Sequence, residues 1–149
     1  MSRTTCVIMV LLVCLCIPSL AQWDAGSGTR ISAGMMWGDA DGPLLNLSVK
    51  LSSQQTFNLM GSAGIGFADH ATLIPLMVSI EPQPRTSTNW FFGAGLGVLF
   101  ASGHHGWSHS AFAYQGYAGY NFSPKLYGEF KLLGAEGGTF YALSIGSKF

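Results

Sequence analysis

Charge is scarce in this chain. Lys, Arg, Asp and Glu make up 9% of its 149 residues, whereas ordinary soluble domains carry about 25%. A water-facing exterior needs both signs of charge on every element, so this scarcity argues against one. Cysteine is missing beyond Cys16: the three present are Cys6, Cys14 and Cys16. Disulfides and thiolate metal sites are therefore excluded from the rest of the chain. No apolar run after Ala21 reaches the roughly 20 residues of a membrane-spanning helix, and helical periodicity is absent there as well. From Gln22 onward six basic and seven acidic side chains leave a formal charge of −1. That balance lacks the basic excess of a nucleic-acid binder.

What remains is rich in glycine, with 20 residues, and in aromatics, at 13%. The N-terminus has the layout of an export signal. Arg3 supplies a positive charge, Cys6 to Ile17 form an apolar run, and Pro18-Ser19-Leu20-Ala21 make a small-residue exit. Residues 1–21 thus read as a cleaved signal peptide, and 22–149 as one domain. No cysteine follows Ala21 to carry a lipid anchor.

Alternation between turn signals divides the domain into eight segments. They are Thr29 to Trp37, Leu45 to Leu51, Thr56 to Phe67, Thr72 to Ile80, Trp90 to Phe100, Ser110 to Phe122, Lys125 to Leu133, and a last one ending at Phe149. In the second, Leu45, Leu47, Val49 and Leu51 alternate with Asn46, Ser48 and Lys50. In the fifth, Trp90, Phe92, Ala94, Leu96, Val98 and Phe100 alternate with Gly93, Gly95 and Gly97. The fourth is least regular: both its faces are apolar and Pro75 interrupts it. Glu81-Pro82-Gln83-Pro84-Arg85 through Asn89 reads as a loop.

Two barrels are built of eight such strands. A soluble lipocalin-like barrel turns its apolar face inward; a membrane barrel turns it outward around a polar lumen. Here the polar face is mostly Gly, Ser, Asn and Ala, which suits the narrow interior of an eight-stranded barrel. The bulky face carries aromatics near strand ends, among them Trp37, Phe67, Trp90, Phe100, Phe112, Tyr120 and Phe122. Membrane barrels place such residues in girdles at the two interfaces. The fold expected is all-β: an eight-stranded antiparallel up-and-down transmembrane β-barrel following a cleaved signal peptide.

Three stretches carry a resemblance. They are Phe91-Phe92-Gly93-Ala94-Gly95-Leu96-Gly97-Val98, Ala113-Tyr114-Gln115-Gly116-Tyr117-Ala118-Gly119-Tyr120, and the terminal alternation Tyr141, Leu143, Ile145, Ser147, Phe149. The chain resembles the small bacterial outer-membrane β-barrel superfamily, the opacity/OmpA-type eight-stranded barrels, over essentially all of 22–149. That resemblance implies an outer-membrane location, a porin-like architecture, lipid as surroundings, and the barrel-assembly machinery as a partner. It makes Tyr141, Leu143, Ile145 and Phe149 the candidate assembly signal. No peptidoglycan-binding domain is expected after the barrel, and a monomer is expected.

With both termini periplasmic, Ser52 to Gln55, Glu81 to Asn89 and Ser123-Pro124 face inside. Gly38 to Pro43, Ala68 to Ala71, Ala101 to His109 and Gly134 to Gly138 face outside. Short inside turns and longer outside loops are the rule, and Glu81 to Asn89 departs from it. None of the outside loops is long enough for a large adhesive surface.

Candidate chemistry is thin. His104, His105 and His109 share one loop and are good ligand types for zinc, copper or nickel, with Asp39, Asp41, Asp69 and His70 on other outside loops. Their spacing matches no tight metal motif, so a solvated polar loop is the favoured reading and no cofactor is expected. Ser102, Ser108 or Ser110 beside a loop histidine would be a lipid-modifying site. The His-any-Ser pattern that deacylase barrels resemble is missing, however, as is the N-terminal amphipathic helix of the palmitoyl-transferring barrels. Arg30, Lys50, Glu129, Lys131 and Lys148 fall on the lumen face. Glu129 is expected to pair there with Arg30 or with Lys131, because an unpaired buried charge is costly. The function expected is a small outer-membrane barrel with a structural or surface-interaction role, no open pore and no enzymatic activity. A lipid-modifying envelope enzyme and a soluble secreted lipid-binding barrel are the alternatives.

Overall fold

The structure is a computed structural model, described for residues 28–68, 71–83, 89–103 and 108–149. The proposed signal peptide, Asp69, His70, His104 and His105 lie outside the described residues. Eight strands run β1 (Arg30–Gly38), β2 (Gly42–Ser53), β3 (Phe57–Phe67), β4 (Ala71–Pro82), β5 (Trp90–Gly103), β6 (Ser108–Asn121), β7 (Leu126–Ala135) and β8 (Gly138–Lys148). Each pairs antiparallel with its sequence neighbour, and β1 pairs antiparallel with β8, closing the barrel. Closure removes both sheet edges and with them the unpaired backbone groups that lipid cannot satisfy.

The face assignment follows the alternation. Trp90, Phe92, Leu96, Phe112, Phe122 and Leu143 are each more than half exposed on the outer wall. Ser32, Asn46, Ser79, Gln115, Glu129 and Lys131 are buried in the lumen. This is the reverse of a lipocalin-like barrel, so the soluble lipid-binding alternative is corrected: the apolar face points out.

Aromatics mark two levels on that wall. Trp90, Tyr120 and Phe122 touch one another at the end where the termini meet, with ring centroids 5.0 and 5.6 Å apart. At the far end Trp37, Tyr141 and Phe130 form a second group, at 6.2–6.3 Å. Trp90 and Phe100 stand at opposite ends of one run of β5. Ten residues at about 3.3 Å each, on a strand tilted about 40°, separate them by about 25 Å along the axis, the height of an outer-membrane apolar band.

Pro75 sits inside β4 without breaking it. The β3–β4 ladder pairs Ala63 with Leu76 and Gly66 with Leu73, with no pairing recorded between. Proline has no N–H to give there. Gly64 lies opposite, where a Cβ would stand 3.1 Å from the Pro75 ring.

Two boundaries differ from the sequence reading. β4 continues through Pro82, so Glu81 belongs to a strand and not to a loop. The far-end connections are short: Asp39–Asp41 and Glu136-Gly137 link β1 to β2 and β7 to β8, and β5 runs on to Gly103. The longest connection, 83–89, is at the terminus end, the same departure from short inside turns that the sequence reading places there.

Candidate functional site in the barrel lumen

Strand register sets which inward side chains share a level. Near the terminus end Arg30 on β1 pairs with Ser48 on β2 and Lys148 on β8. Glu81 on β4 and Phe91 on β5 reach the same level from the opposite wall. Arg30 Nη1 and Nη2 donate to the two carboxylate oxygens of Glu81 at 2.7 Å each. Both side chains are nearly buried, at 12% and 6% exposure. The Arg30 guanidinium also lies 4.5 Å from the centre of the Phe91 ring, and the Tyr117 hydroxyl donates to Glu81 at 3.4 Å.

Glu129 and Lys131 form a second ion pair at 3.3 Å. They are two residues apart on β7 and so share the inner face. Glu129 Oε1 has no hydrogen-bond partner among the described residues, so its Lys131 contact is charge attraction outside hydrogen-bond geometry. Elsewhere on the inner face, Gln115 Nε2 donates to Ser79 Oγ at 2.5 Å and reaches Ser62 Oγ at 3.5 Å.

Of the two partners expected for Glu129, Lys131 is the one it meets, and the meeting with Arg30 is corrected. Glu81 takes the whole guanidinium fork, because it stands at the level of Arg30 while Glu129 lies nearer mid-barrel beside its own lysine. Lys148 touches neither carboxylate at salt-bridge distance; its Nζ lies over Phe91 at 5.0 Å and Tyr127 at 5.7 Å. Lys50 is exposed at the rim. The five expected lumen residues are thus two separate pairs and two mouth lysines, joined by a sixth residue, Glu81. The signal for Glu81 was available: Ser79 and Glu81 continue the inward phase of Leu73, Pro75 and Met77.

Glycine makes room for the lumenal rings. A Cβ on Gly119 would overlap the Phe91 ring, one on Gly93 the Tyr117 ring, and one on Gly146 the Tyr127 ring. The tip of each ring approaches a bare stretch of neighbouring backbone, as in the cross-strand rescue of glycine by an aromatic.

The far half of the lumen is apolar, which the sequence reading did not anticipate. Met36, Leu73, Met77, Leu99, Ala113, Phe140 and Ala142 form one buried cluster. Among these side chains a cavity of about 20 Å³, roughly the space for a single water, also touches Asn46, Gln115 and Lys131. The described inward side chains thus grade from charged at one end of the lumen to hydrocarbon at the other.

The remaining candidates are dispersed. Asp39 Oδ2 accepts the Thr139 N–H at 2.7 Å and Asp41 Oδ1 accepts the Gly38 N–H at 3.2 Å, so both fix turns. Ser102 pairs with Ser108 and Phe100 with Ser110 across β5–β6, and His109 is exposed beside them. Among the described residues no group of three His, Cys, Asp or Glu side chains could hold a metal. Tyr141, Leu143 and Ile145 of the terminal strand all face outward and are exposed.

Solved structures share this architecture. The N-terminal β-barrel domain of Pseudomonas aeruginosa OprF superimposes with a TM-score of 0.60 at 17% identity, covering 83% of this chain and 98% of that one. The fold is that of the small eight-stranded outer-membrane barrels. Neisserial surface protein A gives 0.62 at 13% identity over 81% and 96% of the two chains. Ail, the attachment invasion locus protein of Yersinia pestis, gives 0.51 at 15% over 82% and 95%. No protein-family model matches the chain, and no curated protein matches it in sequence.

Proposed function

We propose that the protein is a small bacterial outer-membrane barrel with a structural or surface-interaction role and no open pore. The observation that carries this reading is the outer wall, which exposes bulky apolar side chains on all eight strands and whose Trp90 and Phe100 stand about 25 Å apart along the axis, the height of the apolar band that outer-membrane barrels present to lipid. In water such a wall would be a very large apolar patch, far beyond what soluble monomers expose. Short far-end turns favour a scaffold or compact contact surface over a long-looped adhesin. The buried inward side chains favour a plug over a channel, as the small bore of eight strands requires. The terminal strand supports recognition by the barrel-assembly machinery, and residues 1–21 support export to reach it.

Cell fractionation with detergent extraction tests the location. The chain should sediment with outer membranes, need detergent for solubility, and run at different mobility before and after boiling, as folded barrels do. Recovery in a detergent-free soluble fraction would defeat the proposal. Planar-bilayer recording tests the plug: the inserted protein should carry no steady current, and a stable ohmic conductance would contradict it.

A further inference from the structure

Charge on this barrel is polarised along its axis. Among the described residues Arg30, Lys50, Lys125 and Lys148 cluster at the terminus end, and Lys131 lies mid-lumen. Asp39, Asp41 and Glu136 stand at the far rim. The terminus-end cations lie on β8, β1 and β2 and just before β7, contiguous around the mouth and tied by backbone hydrogen bonds. Lys148 N–H donates to Lys125 C=O at 2.8 Å, Gly28 N–H to Phe149 C=O at 3.0 Å, and Lys50 N–H to Gly28 C=O at 3.1 Å. Lys50 lays its stem along Gly28. Lys125 precedes β7 in the phase of inward-facing Tyr127. The carboxylate described at this mouth, Glu81, is fully engaged by the two arms of Arg30. The Phe91 ring has both cations near it, the Arg30 guanidinium at 4.5 Å and the Lys148 ammonium at 5.0 Å from its centre, and Lys148 has no carboxylate at salt-bridge distance among the described residues.

A cation held part-way into a low-dielectric lumen attracts a counter-charge far more strongly than one in open water. The chemistry of the unspent donors narrows what that counter-charge is. The planar fork that suits a carboxylate is already used, and what remains are three ammonium groups, compact point charges of the kind that bind phosphate. We propose that the terminus-end mouth binds a phosphate group, free or esterified on a lipid headgroup, between Lys148, Lys50 and Lys125. This site is separate from the plug and from the lipid-facing wall, and it does not depend on the biological role proposed above.

The test uses the folded protein in nanodiscs of zwitterionic lipid, titrated with inorganic phosphate and followed by ³¹P line broadening. Saturable binding is expected, weakened about tenfold or more by Lys148→Gln, the scale of one lost charge-assisted contact, and restored by Lys148→Arg. The double variant Lys50→Gln/Lys125→Gln should weaken binding several-fold without touching lumen packing, and it decides the matter if Lys148→Gln fails to fold. A parallel arm in phosphate-free buffer uses mixed zwitterionic and phosphatidylglycerol discs with native mass spectrometry. Retention of phosphatidylglycerol by the parent and its loss in the double variant would identify a lipid as the source. Saturation by inorganic phosphate alone would identify a soluble one. Asp24 lies four residues before Gly28 in sequence, so Asp24→Asn is titrated as well. Binding seen only in that variant would make the mouth a seat for the chain's own carboxylate and overturn the proposal. Equal, unsaturable broadening in the parent and the double variant, with no lipid retained, would overturn it too.

Discussion

Arg30 and Glu81 stand 51 residues apart in sequence and meet fork to carboxylate across the lumen, both contacts at 2.7 Å. The pair joins β1 to β4, strands that share no backbone ladder. It therefore braces the barrel across its bore, where hydrogen bonding of neighbouring strands does not reach. Removing one member leaves the other charge buried and alone. Glu81→Ala and Arg30→Ala should each cost about 3–5 kcal/mol in refolding titrations. The double variant should cost far less than the sum. Arg30→Ala combined with Glu129→Ala should be additive to within about 0.5 kcal/mol, because the two residues belong to different pairs. Coupling between Arg30 and Glu129 in place of Glu81 would show the lumen pairing to be wrong.

Some glycines seat a ring, others abut neighbouring backbone, and Gly116 and Gly137 face open space. Gly119→Ala places a methyl group into Phe91 and should destabilise by about 1–3 kcal/mol, the range of overpacking. Gly116→Ala, three residues earlier on β6, meets no atom within 4 Å and should cost less than about 0.5 kcal/mol. Equal losses at both positions, measured by urea unfolding in lipid, would mean the rings do not lie where they are placed.

Depth should govern the outer wall. Leu96→Arg, mid-way along β5, should cost about 2–4 kcal/mol, while Leu126→Arg, at the terminus-end edge of β7, should cost about 0–1 kcal/mol. Refolding into vesicles measures both. A flat response along the wall would indicate that lipid does not cover it.

The terminal strand is read as the assembly signal. Deleting Phe149 should slow folding in cells more than Ser144→Ala does, as followed by pulse-chase and gel mobility. Unchanged assembly of the truncated chain would remove that role from the terminal residue.

Much of this was legible in the residues. The strict alternation of β2, β5 and β8 fixed both strand and face, since one shift of phase would turn every Leu and Phe inward. Small lumen residues against bulky outer ones told which way the wall faced. The errors fall where local signals and tertiary context compete. Proline at 82 and 84 reads as a loop, yet β4 tolerates Pro82 as its last residue and so carries Glu81 into the lumen. In the fourth segment both faces are apolar because the far half of the lumen is itself hydrocarbon, and single-strand alternation carries no information there. Pair identity was out of reach altogether: which acid meets Arg30 depends on levels around the closed barrel, not on spacing along the chain.

The central claim is that the bulky face meets lipid and the small face lines a closed lumen. It is tested most directly on β8, using the chain from Gln22, which contains no native cysteine. Single cysteines at Ala142, Leu143, Ser144 and Ile145 carry spin labels in vesicles, and collision with oxygen is compared with collision with a water-soluble nickel complex. Labels at Leu143 and Ile145 should collide readily with oxygen and hardly at all with nickel, and labels at Ala142 and Ser144 should be shielded from both. High nickel accessibility at Leu143 and Ile145, or oxygen accessibility peaking at Ala142 and Ser144, would contradict the account.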